Sequence, residues 1–398
     1  MNINIAILGF GTVGSGVAEV LDMNRASITE KTGRNIVLKH ILDLREFPDS
    51  PYKDLVTHDA EEVFNDPELD IVVETIGGAR IAYEFTKRAL SLGKSVVTSN
   101  KELVSTHGVE LLKIAAENNC SYLYEAAVGG GIPIIRPLYK CLAANEIVKI
   151  AGIVNGTTNY ILSKMKDDGL TYEEALKGAQ ANGFAEANPT ADVDGIDAQR
   201  KLSILSTIAL NGRYVAPDRI HTEGISNLTL DDIEFEKEIG ATLKLIAYFS
   251  KAEDGRPCIY VAPHYVSGSN LLSNVGGVFN AIMVEGNALG ESMYYGKGAG
   301  MLPTASAVCS DILEAATTGG RPSESRLWRE EGADITPYED IVCDIVVRSA
   351  EGTDKLKEAF SGYDVSVLSG NAVLVKSIRH KDIDLTGLPG AKYFHYLG

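Results

Sequence analysis

Basic charge is what this sequence lacks most: 37 Lys and Arg stand against 54 Asp and Glu, a formal net charge of -17. Nucleic acid and anionic membrane surfaces both need a basic footprint, so neither is expected as a partner. Long apolar runs are missing too. No stretch approaches a membrane span, and an apolar strand begins by residue 3, which argues against a cleaved leader. Cysteine is sparse: Cys120, Cys141, Cys258, Cys309 and Cys343 form no CxxC pair and no disulfide-scaffold spacing, the pattern of reduced thiols in a cytoplasmic protein. What remains, 398 residues of which 45% are hydrophobic and 23% charged, is ordinary globular composition with room for two or three domains.

The first motif present is INIAILGFGTVGSGVAEVL, a short apolar strand, then Gly9-x-Gly11-x-x-Gly14, then a helix-period run. In that order the glycine spacing indicates a dinucleotide turn. Gly9 makes the tight turn, Gly11 lets backbone approach a pyrophosphate, and Gly14 allows close helix–strand packing. The helix N-terminus then offers N–H groups to phosphates. A glycine-rich turn in another α/β fold is the alternative.

Strands NIVLKHILDL, LDIVVETIGG, KSVVTS and SYLYEA follow, with helices near 79–91 and 102–118. Residues 1–130 therefore read as an α/β domain, a Rossmann-type doubly wound parallel sheet. Asp43, ending the second strand, suits the ribose diol of NAD, whereas Arg45 suits the 2′-phosphate of NADP. The two signals conflict. Thr75–Gly78 and Thr98–Lys101 lie at carboxyl ends of strands, where such sheets bind ligands, so Thr75, Ser99 and Lys101 join the candidates.

In YEAAVGGGIPII, Glu125 and the carbonyls of Val128, Gly130 and Ile132 could ring a hard monovalent cation, or form a plain glycine-rich bend. Asn155-Gly156-Thr157-Thr158 reads as a turn and helix cap, and its N–H groups also suit a carboxylate. GFAEANPTADVDGIDAQRKL (183–202) concentrates Glu186, Asp192, Asp194 and Asp197 on a broken loop that runs into a helix with Lys201. Asp197 and Lys201 are four apart and share a helix face. Carboxylates beside a lysine suit a substrate ammonium and a proton for a reacting oxygen; a solvated helix start with a surface ion pair has the same sequence signature. Two hairpins, LKLIAYFSKA with RPCIYVAPHYV and VFNAIMVEGNALGESMYYG, complete an α+β substrate and dimerisation domain over 131–325, of which 300–325 is expected to close the first domain.

Taken in order, GFGTVG, TSNKE, YEAAVGGGIPII, GIVNGTTNYIL, GFAEANPTADVDGIDAQRKL and GKGAGMLPTASAV resemble the successive motifs of homoserine dehydrogenases, over about residues 3–320. The resemblance implies reversible hydride transfer between L-aspartate 4-semialdehyde and L-homoserine, on the route to threonine, methionine and isoleucine. By that likeness Lys201 is the proton donor, Lys101 the second active-site lysine, and Asp197 orders the site. Glu186 and Asp192 would hold the substrate amino group, and Gly156, Thr157 and Thr158 its carboxylate. Gly9, Phe10, Gly11, Thr12, Val13, Gly14, Asp43, Arg45, Thr75, Ser99, Lys101 and Gly298 would bind the cofactor. Glu125, Val128, Gly130 and Ile132 would hold sodium or potassium. Many members carry arginine just before the acid ending strand two; here it is Leu42, which leans the choice to NAD and leaves NADP to Arg45. A homodimer or homotetramer acting on a small molecule is implied.

Residues 335–398 read as strand, helix and two strands, a small α+β tail that is part of an ACT-like unit. No Pro-Gly turn follows its first strand, which argues against threonine feedback. Two rival functions fare worse. An aspartate-semialdehyde dehydrogenase needs an activated cysteine, and none has such a setting. A dinucleotide sensor would have no reason for two lysines and four carboxylates in its substrate-side loops.

Overall fold

A computed structural model describes residues 2–321 and 327–398. The chain begins with β1 (Asn2–Leu8), α1 (Thr12–Met23), α2 (Arg25–Thr32), β2 (Asn35–Leu42), β3 (Val56–Thr57) and α3 (Ala60–Phe64). β4 (Ile71–Glu74), α4 (Arg80–Ser91), β5 (Ser95–Thr98), α5 (Lys101–Glu117) and β6 (Tyr122–Leu123) follow. Next come β7 (Ile147–Ile153), α6 (Gly156–Asp168), α7 (Tyr172–Ala181), α8 (Thr190–Val193), α9 (Ile196–Ala209), β8 (His221–Thr222), α10 (Leu230–Glu234) and α11 (Glu236–Ile239). The hairpins are β9 (Ala241–Lys251) with β10 (Pro257–Ser267), and β11 (Phe279–Gly286) with β12 (Gly290–Lys297). α12 (Met301–Thr318), β13 (Val342–Arg348), α13 (Thr353–Ala359), β14 (Asp364–Ser369), β15 (Ala372–Arg379) and β16 (Lys392–Leu397) complete the chain.

Two compact units result. The first takes the chain up to Glu146, with Ser203–Pro217 and Gly296–Ala333; the second takes Ile147–Leu202, Asp218–Tyr295 and Asp334–Gly398. Of the segment expected to close the first domain, 322–325 lie outside the described residues.

The first unit is built on a six-stranded sheet in the order β3-β2-β1-β4-β5-β6, parallel throughout. This is the doubly wound order, with its switch point between β1 and β4. β4 (IVVE) and β5 (SVVT) are buried at every position, as strands covered on both faces must be. One face packs Ile5, Ile7, Val17 and Val73 against Ala305, Val308 and Ile312 of α12. A Cβ at Gly16 of α1 would lie 2.9 Å from Met301 of α12, so glycine sets how closely those helices approach.

The second unit is a mixed sheet in the order β12-β11-β7-β9-β10-β16-β13-β15-β14, with β8 added to β10. The tail is no separate sheet. β16, which sequence patterning missed, pairs parallel to β10 (His264 with His395) and antiparallel to β13, making the tail continuous with the hairpin. Among the described residues no helix is long and apolar enough to cross a membrane.

Asp232 on α10 fastens this continuity. Its carboxylate is fully buried and accepts from Thr229 N at 2.9 Å and Thr229 Oγ1 at 2.7 Å. The tail adds Lys392 Nζ at 3.0 Å and the Arg348 guanidinium. Burial opposes ionisation, but these partners outweigh it and hold the carboxyl below its ordinary value. The stabilisation is therefore present above the unfolded carboxyl's pKa and lost as pH falls through the lower folded one. Asp232→Ala is expected to cost about 3 kcal/mol, the range for removing one partner of a buried pair. Urea unfolding at neutral pH checks this.

Candidate active site

β1 ends in the glycine turn. Gly9 has φ +88°, and a Cβ there would lie 2.9 Å from the Thr75 carbonyl, so both conformation and space require glycine. At Gly14 a Cβ would fall 2.1 Å from the Gly9 carbonyl oxygen. Gly11 differs: its nearest neighbour would be Arg45 Nη2 at 3.8 Å, so its surface is open where α1 begins at Thr12. Thr12 and Val13 form the first turn, whose N–H groups lack intrahelical acceptors. A cradle closed at Gly9 and Gly14 and open at Gly11 fits a dinucleotide pyrophosphate.

The conflict between Asp43 and Arg45 becomes an ion pair. Arg45 donates through Nε to Oδ1 at 3.0 Å and through Nη2 to Oδ2 at 2.9 Å, while Phe10 N donates to Oδ2 at 2.7 Å. The Arg45 guanidinium holds the carboxyl far below its ordinary range. Phe10 is buried edge-on against Phe47 and Tyr52, which fixes the N–H that Asp43 receives. Thr75 donates to the Gly9 carbonyl at 2.7 Å and Leu8 at 3.1 Å, locking the loop after β4 to the glycine turn. Ser99 and Lys101 lie after β5, Lys101 as the first residue of α5, which Asn100 caps.

Glu125 has a role its sequence did not announce. Its carboxylate accepts from the N–H groups of Ile134 (2.6 Å), Ile135 (2.9 Å) and Arg136 (2.7 Å). Its backbone N–H donates to Asp311 of α12, which also pairs with the Arg136 guanidinium. The side chain thus braces the backbone of residues 134–136. Val128, Gly130 and Ile132 lie on the turn that follows, where a Cβ at Gly130 would meet the Gly298 carbonyl at 2.2 Å. Gly298 therefore packs on the 129–131 turn.

In the second unit the acidic stretch condenses around one lysine. Lys201 Nζ is buried and donates to Asp197 Oδ2 and to the Val154 carbonyl, both at 2.7 Å. Asn155 Nδ2 donates to Asp197 Oδ2 at 2.8 Å and to Asp192 Oδ1 at 2.7 Å. Asn155 Oδ1 accepts from Thr158 N at 2.8 Å, capping α6. Lys201, Asp197 and Asp192 thus meet the Gly156–Thr158 turn through the Asn155 side chain, a link that the sequence signal of a cap and carboxylate turn does not announce. Thr157 Oγ1 donates to the Phe184 carbonyl at 2.6 Å, and a Cβ at Gly156 would press 2.9 Å from the Val278 carbonyl. Two carboxylates are not drawn in: Glu186 is exposed, and Asp194 turns out to Ser226.

Residues 133–313 match the family model described as homoserine dehydrogenase, and residues 9–125 its NAD binding domain. The chain is 42% identical to the homoserine dehydrogenase of Pseudomonas aeruginosa, over 82% of this chain and 75% of that one. It is 39% identical to that of Helicobacter pylori, over 96% and 90%. A crystal structure of a homoserine dehydrogenase from Thiobacillus denitrificans superposes with a TM-score of 0.90 at 33% identity, covering 100% of this chain and 98% of that one. A hyperthermophilic archaeal homoserine dehydrogenase in complex with NADPH does so with a TM-score of 0.67 at 31% identity, covering 81% and 100%.

Two neighbouring glycines should respond oppositely. Gly11→Ala is expected to leave the melting temperature nearly unchanged and to weaken nicotinamide-dinucleotide binding roughly tenfold or more, because only the ligand approaches there. Gly14→Ala drives Cβ into backbone and is expected to destabilise the fold by about 1–3 kcal/mol. Thermal unfolding and NADPH fluorescence titration separate the two.

Proposed function

The chain belongs to the homoserine dehydrogenase family, an oxidoreductase interconverting L-aspartate 4-semialdehyde and L-homoserine with a nicotinamide cofactor, and on that premise we propose that Lys201 is its proton donor. The observation that carries the proposal is the position of Lys201 Nζ, buried and held at 2.7 Å by both Asp197 and the Val154 carbonyl. The nicotinamide, when bound, supplies or accepts the hydride. As the aldehyde is reduced, negative charge grows on its oxygen, and the Lys201 ammonium stabilises that charge and delivers a proton. Asp197 and Val154 orient the ammonium, and Asn155 fixes Asp197. In the reverse direction Lys201 receives the alcohol proton.

The substrate amino group is assigned to Asp192, with Glu186 added from its exposed loop. Its carboxylate is assigned to the Gly156–Thr158 turn, where helix N–H groups favour an anion. Lys101, opening α5, is the second lysine. Sodium or potassium is assigned to the carbonyls of Glu125, Val128, Gly130 and Ile132, oxygen donors suited to a hard cation.

For the cofactor we read a preference for NAD with NADP accepted. Asp43, kept ionised, accepts from ribose hydroxyls, and Arg45 offsets the charge of a 2′-phosphate. Arg45→Ala is expected to lower kcat/KM with NADP roughly tenfold more than with NAD, the scale of one charge-assisted hydrogen bond.

Lys201→Ala is expected to lower kcat by about 10²–10⁴-fold, the usual contribution of a general acid, while nicotinamide binding stays within about twofold. Absorbance of the reduced nicotinamide, followed with L-homoserine and NAD or NADP, reads both variants. Wild-type kcat in Lys201→Ala would remove the lysine from the chemistry.

A further inference from the structure

Glu74, the last residue of β4, is fully buried and forms no ion pair among the described residues. Its carboxylate is held by donors alone. Ile76 N donates to Oε1 at 2.7 Å, Thr98 Oγ1 donates to Oε2 at 2.5 Å, and the Asn100 amide is a third partner. Burying a carboxylate without a cation is costly, and the sheet itself does not require one. At the same register β1 presents Leu8 and β5 presents Thr98.

What the carboxylate achieves is to tie two loops together. Ile76 belongs to the loop after β4, which carries Thr75; Thr98 and Asn100 flank Ser99 in the loop after β5. Thr98 Oγ1 accepts from Asn100 N at 2.9 Å, and Asn100 Nδ2 donates to the Gly78 carbonyl at 2.8 Å, so the loops are joined twice. Asn100 Oδ1 accepts from Leu103 N at 3.1 Å and caps α5, whose first residue is Lys101. Both loops lie at the carboxyl ends of strands beside the switch point.

We propose that Glu74, in its ionised form, is a positioning residue for the dehydrogenase reaction, clamping the 75–78 and 98–101 loops in the geometry that receives the cofactor and places Lys101. The inference rests on the cofactor reading of Thr75, Ser99 and Lys101 above. A neutral acid makes a different set of bonds: one oxygen becomes a hydroxyl donor, and Ile76 N or Thr98 Oγ1 then faces a weaker acceptor in place of a charged one.

Burial pushes the Glu74 carboxyl up to about 7, against the hydrogen bonds from Thr98, Ile76 and Asn100 that favour ionisation. Through space the Glu74 carboxylate in turn acts on the Tyr122 phenol on β6, adding to the rise that burial gives that group. Because the folded value lies above the unfolded one, protonation favours the fold; that stability is present at low pH and is lost as pH rises from the unfolded value through about 7. The clamp has the opposite sign, forming as pH rises through about 7.

Glu74→Gln separates this role from a structural one. Glutamine removes the buried charge, so its melting temperature at pH 8 should equal or exceed that of the parent. Its KM for the nicotinamide cofactor should rise and its kcat fall, together roughly tenfold to a hundredfold in kcat/KM. The parent's limb near pH 7 in kcat/KM should be absent from the variant. Wild-type kcat/KM with an unchanged pH limb overturns the inference, as does a variant that merely melts earlier with its kinetics intact. Should Glu74→Gln fail to fold, Thr98→Val removes one arm of the clamp and must shift the same limb; an unshifted limb is equally fatal. Gly11→Ala is the control for the underlying reading. If it leaves NADPH affinity unchanged, the cofactor reading itself is wrong; if it weakens NADPH while Glu74→Gln is kinetically silent, only the clamp falls.

Discussion

One primary amide holds the acidic stretch and its lysine together. Asn155 has an acceptor that caps α6 and a donor group shared by Asp192 and Asp197. Aspartate at this position would meet two carboxylates with a third, and glutamine would carry the amide past the cap. Because Asn155 orders Asp197, and Asp197 with the Val154 carbonyl orders Lys201, the ammonium is fixed in space with little freedom left to lose. Preorganisation of this kind is what lets a cation act on charge as it develops. The same residue ties that cation to the turn proposed to hold the substrate carboxylate.

The acids of the first unit divide by how their charge is compensated. Asp43 is ionised under an arginine fork. Asp311 faces Arg136, and Glu125 closes a helix start with three N–H donors. These arrangements brace backbone: the end of β2 in one case, the 125–136 turn and α12 in the others. Among the described residues Glu74 has neither cation nor helix dipole, only donors from the loops after β4 and β5. A group whose burial works against stability, located where strands end at a switch point, is where a fold gives up stability for positioning.

Strong local signals were legible. Apolar strands buried on both faces, glycines at 9, 11 and 14, and a helix start capped at Asn155 each depend on residues a few positions apart. β16 was not legible, because KYFHYL has no apolar run; its histidine is buried only because β10 and β13 flank it. β3, with two residues, carries no pattern at all. The bracing role of the Glu125 side chain was not legible, because nothing local shows that three N–H groups nine to eleven residues on would bond it.

By itself the sequence determined the dinucleotide turn, the parallel sheet, the i,i+4 pairing of Asp197 with Lys201 and the order of motifs that marks the family. These are properties of short stretches, where glycine's missing Cβ or the helical repeat leaves few alternatives. Tertiary structure decided the rest: that Asn155 reaches across 37 and 42 residues to Asp192 and Asp197, that Arg45 folds back on Asp43, and that Glu74 is buried with no counter-charge among the described residues. Hydrogen bonds and desolvation depend on what chain folding brings within about 3 Å, and no local pattern encodes that distance.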